Sequence, residues 1–367
     1  TQHYAETSND FTFQAKTIRP EKNREVYVMV IGETSRAANW SIYGYNRNTN
    51  PELTKIKGLT AFSHVLTESN TTHKSVPMLM SSVTAHDFNS IYRQKGIITA
   101  FKEAGYRTAF FSNQRYNHSF IDFFGKEADI CDFIKEDTGD GGYNPSDDEL
   151  LKLVAAELTE NASKQFIVLH TYGSHFNYRE RYPADNAFFL PDFPVDAELK
   201  YKDNLINAYD NSIRYTDNFL ARLIRMLQKQ DIDAAMLYTS DHGEDIFDDD
   251  RKLFLHASPV PSYYQLHVPF LIWMSEAYRK GYPVQYEAVC MNREKPVAGN
   301  ASVFHSMLSL GGIQTDYKED SLSVASKRYV IRPRYYLNDH NLPKLLDKIG
   351  LKEKDIKQLE QRRMMYP

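Results

Sequence analysis

Val26-Tyr-Val-Met-Val-Ile31 runs directly into Gly32-Glu33-Thr34. An apolar run of strand length with no polar face predicts a β-strand buried on both sides. The same design recurs along the chain. Arg107-Thr-Ala-Phe-Phe111 leads into Ser112-Asn113-Gln114, and Gln165-Phe-Ile-Val-Leu169 into His170-Thr-Tyr-Gly-Ser-His175. Ala234-Ala-Met-Leu-Tyr238 leads into Thr239-Ser240-Asp241-His242, and Pro269-Phe-Leu-Ile-Trp273 closes the series. Helical patterns lie between these runs. Residues 96–104 are stopped by Gly105, a C-cap signal. Residues 147–161 open on Ser146-Asp-Asp-Glu149, the pattern of a capping box, and carry an apolar stripe at Leu150, Leu151 and Val154. Residues 199–230 carry Leu205, Ala208, Ile213, Phe219, Leu223 and Leu227 at helical spacing, and residues 352–364 form a charged helical pattern. Alternating strands and helices predict an α/β fold, a mostly parallel central sheet sandwiched by helices. Such sheets bind ligands beyond the carboxyl ends of their strands, where the polar residues quoted above fall.

Composition limits the function. The 367 residues carry 44 Lys+Arg against 48 Asp+Glu, a formal net charge of −4, which argues against a dedicated nucleic-acid binder. With 42% hydrophobic and 13% aromatic residues the chain can build a large core, so disorder is excluded as its main state. Two cysteines, Cys131 and Cys290, allow at most one bridge, and two unpaired buried thiols are the expectation. No apolar run reaches the ~18 residues of a membrane span. Residues 1–24 are polar and read as a linker or arm, with no signal peptide. Residues 176–200, aromatic and rich in proline, read as a long surface loop near the site; the acidic run from Glu244 to Arg251 reads as a solvated loop.

The histidines sort by position. His3, His118 and His340 read as surface residues, and His64, His86 and His305 as structural. His170, His175, His242 and His256 stand at strand ends or in the loops that follow them. A lone histidine is usually structural; four converging on one sheet edge are not. Asp241-His242 at one strand end and Glu33 at another supply two carboxylates and an imidazole, a donor set that suits zinc and leaves a position open. The segment from Glu68 to Met80 holds Thr72-His-Lys-Ser75-Val-Pro77. Read alone it is an N-capping cluster, because Pro favours a first helical turn and hydroxyls favour its dipole. Beside a zinc, a hydroxyl at that place becomes a usable nucleophile.

Five blocks in this order resemble the phosphoethanolamine transferases of the alkaline phosphatase and sulfatase superfamily, which include lipid A modifiers that confer polymyxin resistance. They are Gly32-Glu33-Thr34-x-Arg36, Thr72-x-x-Ser75-Val-Pro77, His170-x-x-Gly173-Ser174-His175, Ser240-Asp241-His242-Gly243-Glu244 and Leu255-His256-x-x-Pro259. The resemblance implies that Glu33, Thr72, Asp241 and His242 surround a zinc, with Thr72 the nucleophile. It implies that His175 and His256 bind a second zinc or the substrate phosphate, with one or two ions in all. His170 matches a motif histidine, and Asn113 is a candidate phosphate contact. The implied reaction moves phosphoethanolamine from phosphatidylethanolamine to a lipid A or lipopolysaccharide-type acceptor through a covalent threonine ester. The implied location is periplasmic, with residues 25–367 as catalytic domain and residues 1–24 leading from a membrane domain of an inner-membrane protein. Two departures stand out: such members often carry several disulfides, and they have an N-terminal helical bundle. A phosphoglycerol transferase or phosphodiesterase is the alternative on the same site. A sulfatase would need an Arg where Ser75-Val-Pro77-Met-Leu79 has Leu79.

Overall fold

The computed structural model describes residues 8–21, 24–135 and 144–365; His3 lies outside them. The expected runs form one seven-stranded sheet of β1 (Glu25–Gly32), β2 (Leu59–Ala61), β3 (Arg107–Ser112), β4 (Ile130–Phe133), β5 (Lys164–His170), β6 (Asp233–Ser240) and β7 (Phe270–Met274). The strand order is β2–β7–β6–β1–β5–β3–β4. β1 is central and pairs in parallel with β5 and β6, and the parallel register continues through β3 to β4. β7 alone runs the other way, antiparallel to β6 and β2. Phe270, its first residue, therefore lies opposite Thr239 near the end of β6. The segment before β7, not after it, reaches the carboxyl edge of the sheet, and that segment contains His256.

Alternation along β1 builds two cores. Tyr27, Met29 and Ile31 face one side; Val26, Val28 and Val30 face the other. The helices that bear on the core and the site are α1 (Thr72–Leu79), α2 (Ile97–Glu103), α3 (Asp148–Glu157), α4 (Lys202–Gln228), α5 (Gly299–Gly311) and α6 (Glu353–Gln361). α2 and α5 cover the first face through Ile97, Phe101, Phe304 and Met307. α3 and α4 cover the second through Leu150, Leu151, Val154, Leu205, Ile213, Phe219 and Leu223. Each such fully buried side chain contributes about 1.5–3 kcal/mol, enough to hold the polar edge in place.

Several local expectations are corrected. The capping box at residues 146–149 does not form. Asp147 is the N-cap with no side-chain cap bond, Ser146 Oγ bonds Tyr215 Oη at 2.6 Å, and Glu149 pairs with Lys152. The acidic run is not solvated throughout: Glu244 and Asp245 are buried, and Asp248 pairs with Arg36 at 2.8 Å. The cause is Ile246 and Phe247, apolar neighbours that draw the run into the second core. Cys131 and Cys290 are unpaired as expected, but Cys131 is exposed and Cys290 half-buried. Part of the polar arm packs on the domain: Phe13, Ala15 and Arg19 are buried, and Lys16–Thr17 pairs with Ile313–Gln314. Among the described residues no helix is long and apolar enough to cross a membrane.

Candidate metal centre and active site

β1 and β6 are neighbours, so the residues that follow them meet. After β1 the chain turns at Thr34, which has φ +59°, a left-handed conformation that a β-branched side chain disfavours. The conformation is fixed by the Thr34 N–H, which donates to Asp241 Oδ1 at 2.9 Å, and by Tyr209, whose hydroxyl donates to the Thr34 carbonyl at 2.7 Å. Strain of this kind costs about 1–3 kcal/mol and persists where the surroundings over-determine it. Gly173, at φ +58°, lets the loop after β5 lie against Glu33; a Cβ there would come within 2.7 Å of the Glu33 carbonyl. Helix α1 starts at the same edge and presents Thr72 in its first turn.

The four residues expected to converge do so. Thr72 Oγ1 is 2.7 Å from Glu33 Oε1, 2.6 Å from Asp241 Oδ2 and 3.2 Å from His242 Nε2. One ligand atom each from Glu33, Asp241 and His242 lies within 4.8 Å of the others, and all three residues are buried. Burial, then the adjoining Asp241 carboxylate, pushes the Glu33 carboxyl well above its usual range. Burial would raise Asp241 too, but His242 and hydrogen bonds from Thr72 and the Thr34 N–H hold it below the usual value. Two carboxylates thus face each other in a buried pocket with one hydroxyl between them, and among the described residues Glu33 Oε2 has no hydrogen-bond partner. Uncompensated buried charge of this kind is stabilised by a cation. Two carboxylate oxygens, an imidazole nitrogen and a hydroxyl are donors that zinc accepts in fourfold coordination, so the residues present fit that ion.

The imidazoles share one feature. His242 Nδ1 lies 2.7 Å from the Gly243 carbonyl and His175 Nδ1 2.6 Å from the Phe176 carbonyl. A carbonyl oxygen only accepts, so each Nδ1 carries the proton and each Nε2 keeps a lone pair. Burial lowers the pKa of both rings to about 4, so they are neutral near pH 7. His256 stacks on His242 with ring centroids 4.1 Å apart, and its Nδ1 lies 3.0 Å from Glu244 Oε1. Tyr178 also donates to that carboxyl group. Glu244 and Tyr178 escaped the sequence reading. The signal was there: Glu244 stands three residues after Asp241 and just before the apolar pair Ile246-Phe247.

His170 is fully buried and, among the described residues, neither ring nitrogen has a hydrogen-bond partner; its Nε2 is 3.6 Å from Glu33 Oε2. Burial lowers it to about 4. Asn113 is buried too, but its amide nitrogen is engaged by the Pro145 carbonyl and Asp147 Oδ1, both at 2.9 Å. Ser75, three residues along from Thr72, donates to the Asp241 carbonyl at 2.6 Å and accepts from Asn300 Nδ2 at 2.9 Å. It is fully buried, whereas Thr72 is half-buried and lines a cavity of about 320 Å³. Thr71, His73, Arg115, His170 and His256 line the same cavity.

The chain is similar to several known proteins. Residues 25–313 match the sulfatase family. The chain is 32% identical to the Kdo(2)-lipid A phosphoethanolamine 7''-transferase of Escherichia coli (strain K12) over 274 residues, 73% of this chain and 47% of that protein. The C-terminal periplasmic domain of EptC from Escherichia coli, in complex with Zn, superposes with a TM-score of 0.83 at 24% identity, covering 93% of this chain and 97% of that one. The integral membrane lipooligosaccharide phosphoethanolamine transferase A of Neisseria meningitidis superposes with a TM-score of 0.77 at 26% identity, covering 84% of this chain and 59% of that one. The chain spans about half the length of the curated relatives it matches.

Proposed function

The chain belongs to the sulfatase family of the alkaline phosphatase superfamily, and from that premise we propose that its site transfers phosphoethanolamine from phosphatidylethanolamine to a lipid A or lipopolysaccharide-type acceptor. The observation that carries this reading is the contrast between two hydroxyls. Thr72 lies between two carboxylates at a cavity wall, while Ser75 is buried and bonded to backbone.

Glu33, Thr72, Asp241 and His242 would hold a zinc ion. Bound there, the ion supplies a lowered pKa for the threonine hydroxyl and offsets charge on phosphoryl oxygens. Thr72 Oγ1 loses its proton to the carboxylates it already touches and attacks phosphorus in line. Diacylglycerol leaves as the neutral alcohol, taking up the proton that Thr72 gave up, and phosphoethanolamine stays as an ester on Thr72. The acceptor then takes the group and frees the hydroxyl, which makes the kinetics ping-pong. The Nε2 lone pair of His175 repels an anionic oxygen and attracts a cation, and so does that of His256 in the tautomer that donates its Nδ1–H to Glu244. They therefore favour a second zinc over direct contact with phosphate. His170 and Asn113 keep supporting places behind this front, Asn113 by bracing Asp147. The domain, residues 25–367, would work in the periplasm, joined through residues 1–24 to a membrane part like that of its relatives.

The test is direct. Metal-loaded protein incubated with phosphatidylethanolamine gains one phosphoethanolamine group by intact mass, and peptide mapping places it on Thr72. An adduct that forms only with phosphatidylglycerol overturns the reading in favour of phosphoglycerol transfer. Glu244→Gln should lower turnover about 10–100-fold, because an amide beside His256 Nδ1 favours the wrong tautomer. Rates within twofold of wild type would remove Glu244 from that positioning role.

A further inference from the structure

A second cavity, of about 590 Å³, shares no lining residue with the one at Thr72. It lies beside α5, between the 85–92 segment and residues 316–335. Four carboxylates line it, Glu68, Asp87, Asp316 and Glu319, against one cationic side chain, Arg332. Glu68 is 3% exposed. Its Oε2 accepts from the Ala85 N–H at 2.8 Å; Oε1 has no hydrogen-bond partner, and the side chain forms no ion pair, among the described residues. Burial pushes its pKa to about 7, and Asp87 adds to this. A buried carboxylate of this kind lacks a counter-charge. His305, also buried, does not supply one. Its Nδ1 accepts from the Glu319 N–H at 2.9 Å, and burial lowers its pKa to about 4.

The missing charge is not that of a metal ion held by three or more of these side chains. Among the described residues Glu33, Asp241 and His242 form the one group of three or more such ligands close enough to share an ion, so no three of these four carboxylates converge on a point. The volume is that of an organic ligand. Tyr317, Tyr329 and Tyr335 supply rings in the wall, and Tyr329 is fixed by its hydroxyl bond to the Pro296 carbonyl at 2.6 Å. Aromatic faces suit both methylene chains and ammonium groups. We propose that this cavity is a ligand site in its own right and takes a linear aliphatic polyamine, one ammonium on Glu68 and others on Asp316 and Glu319 at the exposed rim. The proposal does not depend on the transfer reading.

Calorimetry with spermidine on the metal-loaded chain at moderate salt tests it. One spermidine should bind per chain, with butylamine weaker by about tenfold or more because it makes one charge-assisted contact instead of several. Glu68→Gln should weaken spermidine by about tenfold. The exposed-rim double variant Asp316→Asn/Glu319→Gln, which leaves the buried wall intact, should weaken it several-fold; Thr72→Ala should leave it unchanged. Amide shifts on titration of wild type should cluster at residues 85–94, 298–305 and 316–335, a readout independent of whether any variant folds. Shifts scattered over the acidic surface, absence of saturable binding, or unchanged affinity in the rim variant would overturn the proposal.

Discussion

Thr72→Ala is expected to abolish phosphoethanolamine transfer, by about four orders of magnitude or more, with the fold intact. The size follows from the role: without the hydroxyl there is no covalent route, and only binding and charge stabilisation remain. The fold should tolerate the change, since Thr72 is half-buried at the start of α1 and α1 packs through Val76, Met78 and Leu79 instead. Its melting temperature should stay within about 2 °C of wild type. Thr72→Ser keeps an oxygen at the same place and should retain measurable turnover. Ser75→Ala gives the opposite signature. It removes the bond to the Asp241 carbonyl and lowers stability by about 1 kcal/mol, yet the adduct on Thr72 still forms. Transfer surviving in Thr72→Ala but lost in Ser75→Ala would assign the chemistry to the wrong hydroxyl.

Glu33→Gln should have two effects of opposite sign. Metal content by elemental analysis should fall below the wild-type value, because one of two carboxylate ligands is gone. The stripped variant should nevertheless melt higher than stripped wild type, by roughly 2 °C or more, because an amide removes the cost of ionising a buried carboxyl beside Asp241. The pH dependence fixes the sign independently. In stripped wild type, burial and Asp241 raise the Glu33 pKa well above 4.5, so the native state holds that proton more tightly than the unfolded chain. The stability this contributes is fully present below the unfolded value and is lost as pH rises through the raised one. Glu33→Gln should flatten that fall in a denaturation series. Added zinc should raise the melting temperature of wild type by several degrees and barely move the variant. A variant that keeps full zinc and the wild-type zinc response would remove Glu33 from the ligand set.

Strand runs were legible because a buried parallel sheet needs unbroken apolar stretches, and β1, β5 and β6 carry them. The polar residues after those strands were legible as a site for the same reason: the sheet fixes where its carboxyl edge must be. The direction of β7 was not legible, since an apolar run such as Phe270–Met274 reads alike in either sense. Glu244 was misjudged because a charge count sees five acids in a row of eight residues, not the burial that Ile246 and Phe247 impose on its start. Ser146 illustrates the reverse error. The right residues stood at capping spacing, but Tyr215 shares the hydroxyl with the Asp148 N–H, and Glu149 turns to Lys152 instead of back to the cap. Nothing local could have shown the cavity beside α5, which segments far apart in sequence enclose.

Ser75 carries a lesson for anyone who would retrofit this scaffold. It sits one turn, about 4.5 Å of helix rise, below Thr72, and Leu79 one turn further lies in the apolar core. Installing an arginine at Leu79 would therefore not move reactivity from one hydroxyl to the other. Reassigning the chemistry means sliding the whole first turn of α1 toward the sheet, a rebuild of the floor beneath it rather than a change of furniture.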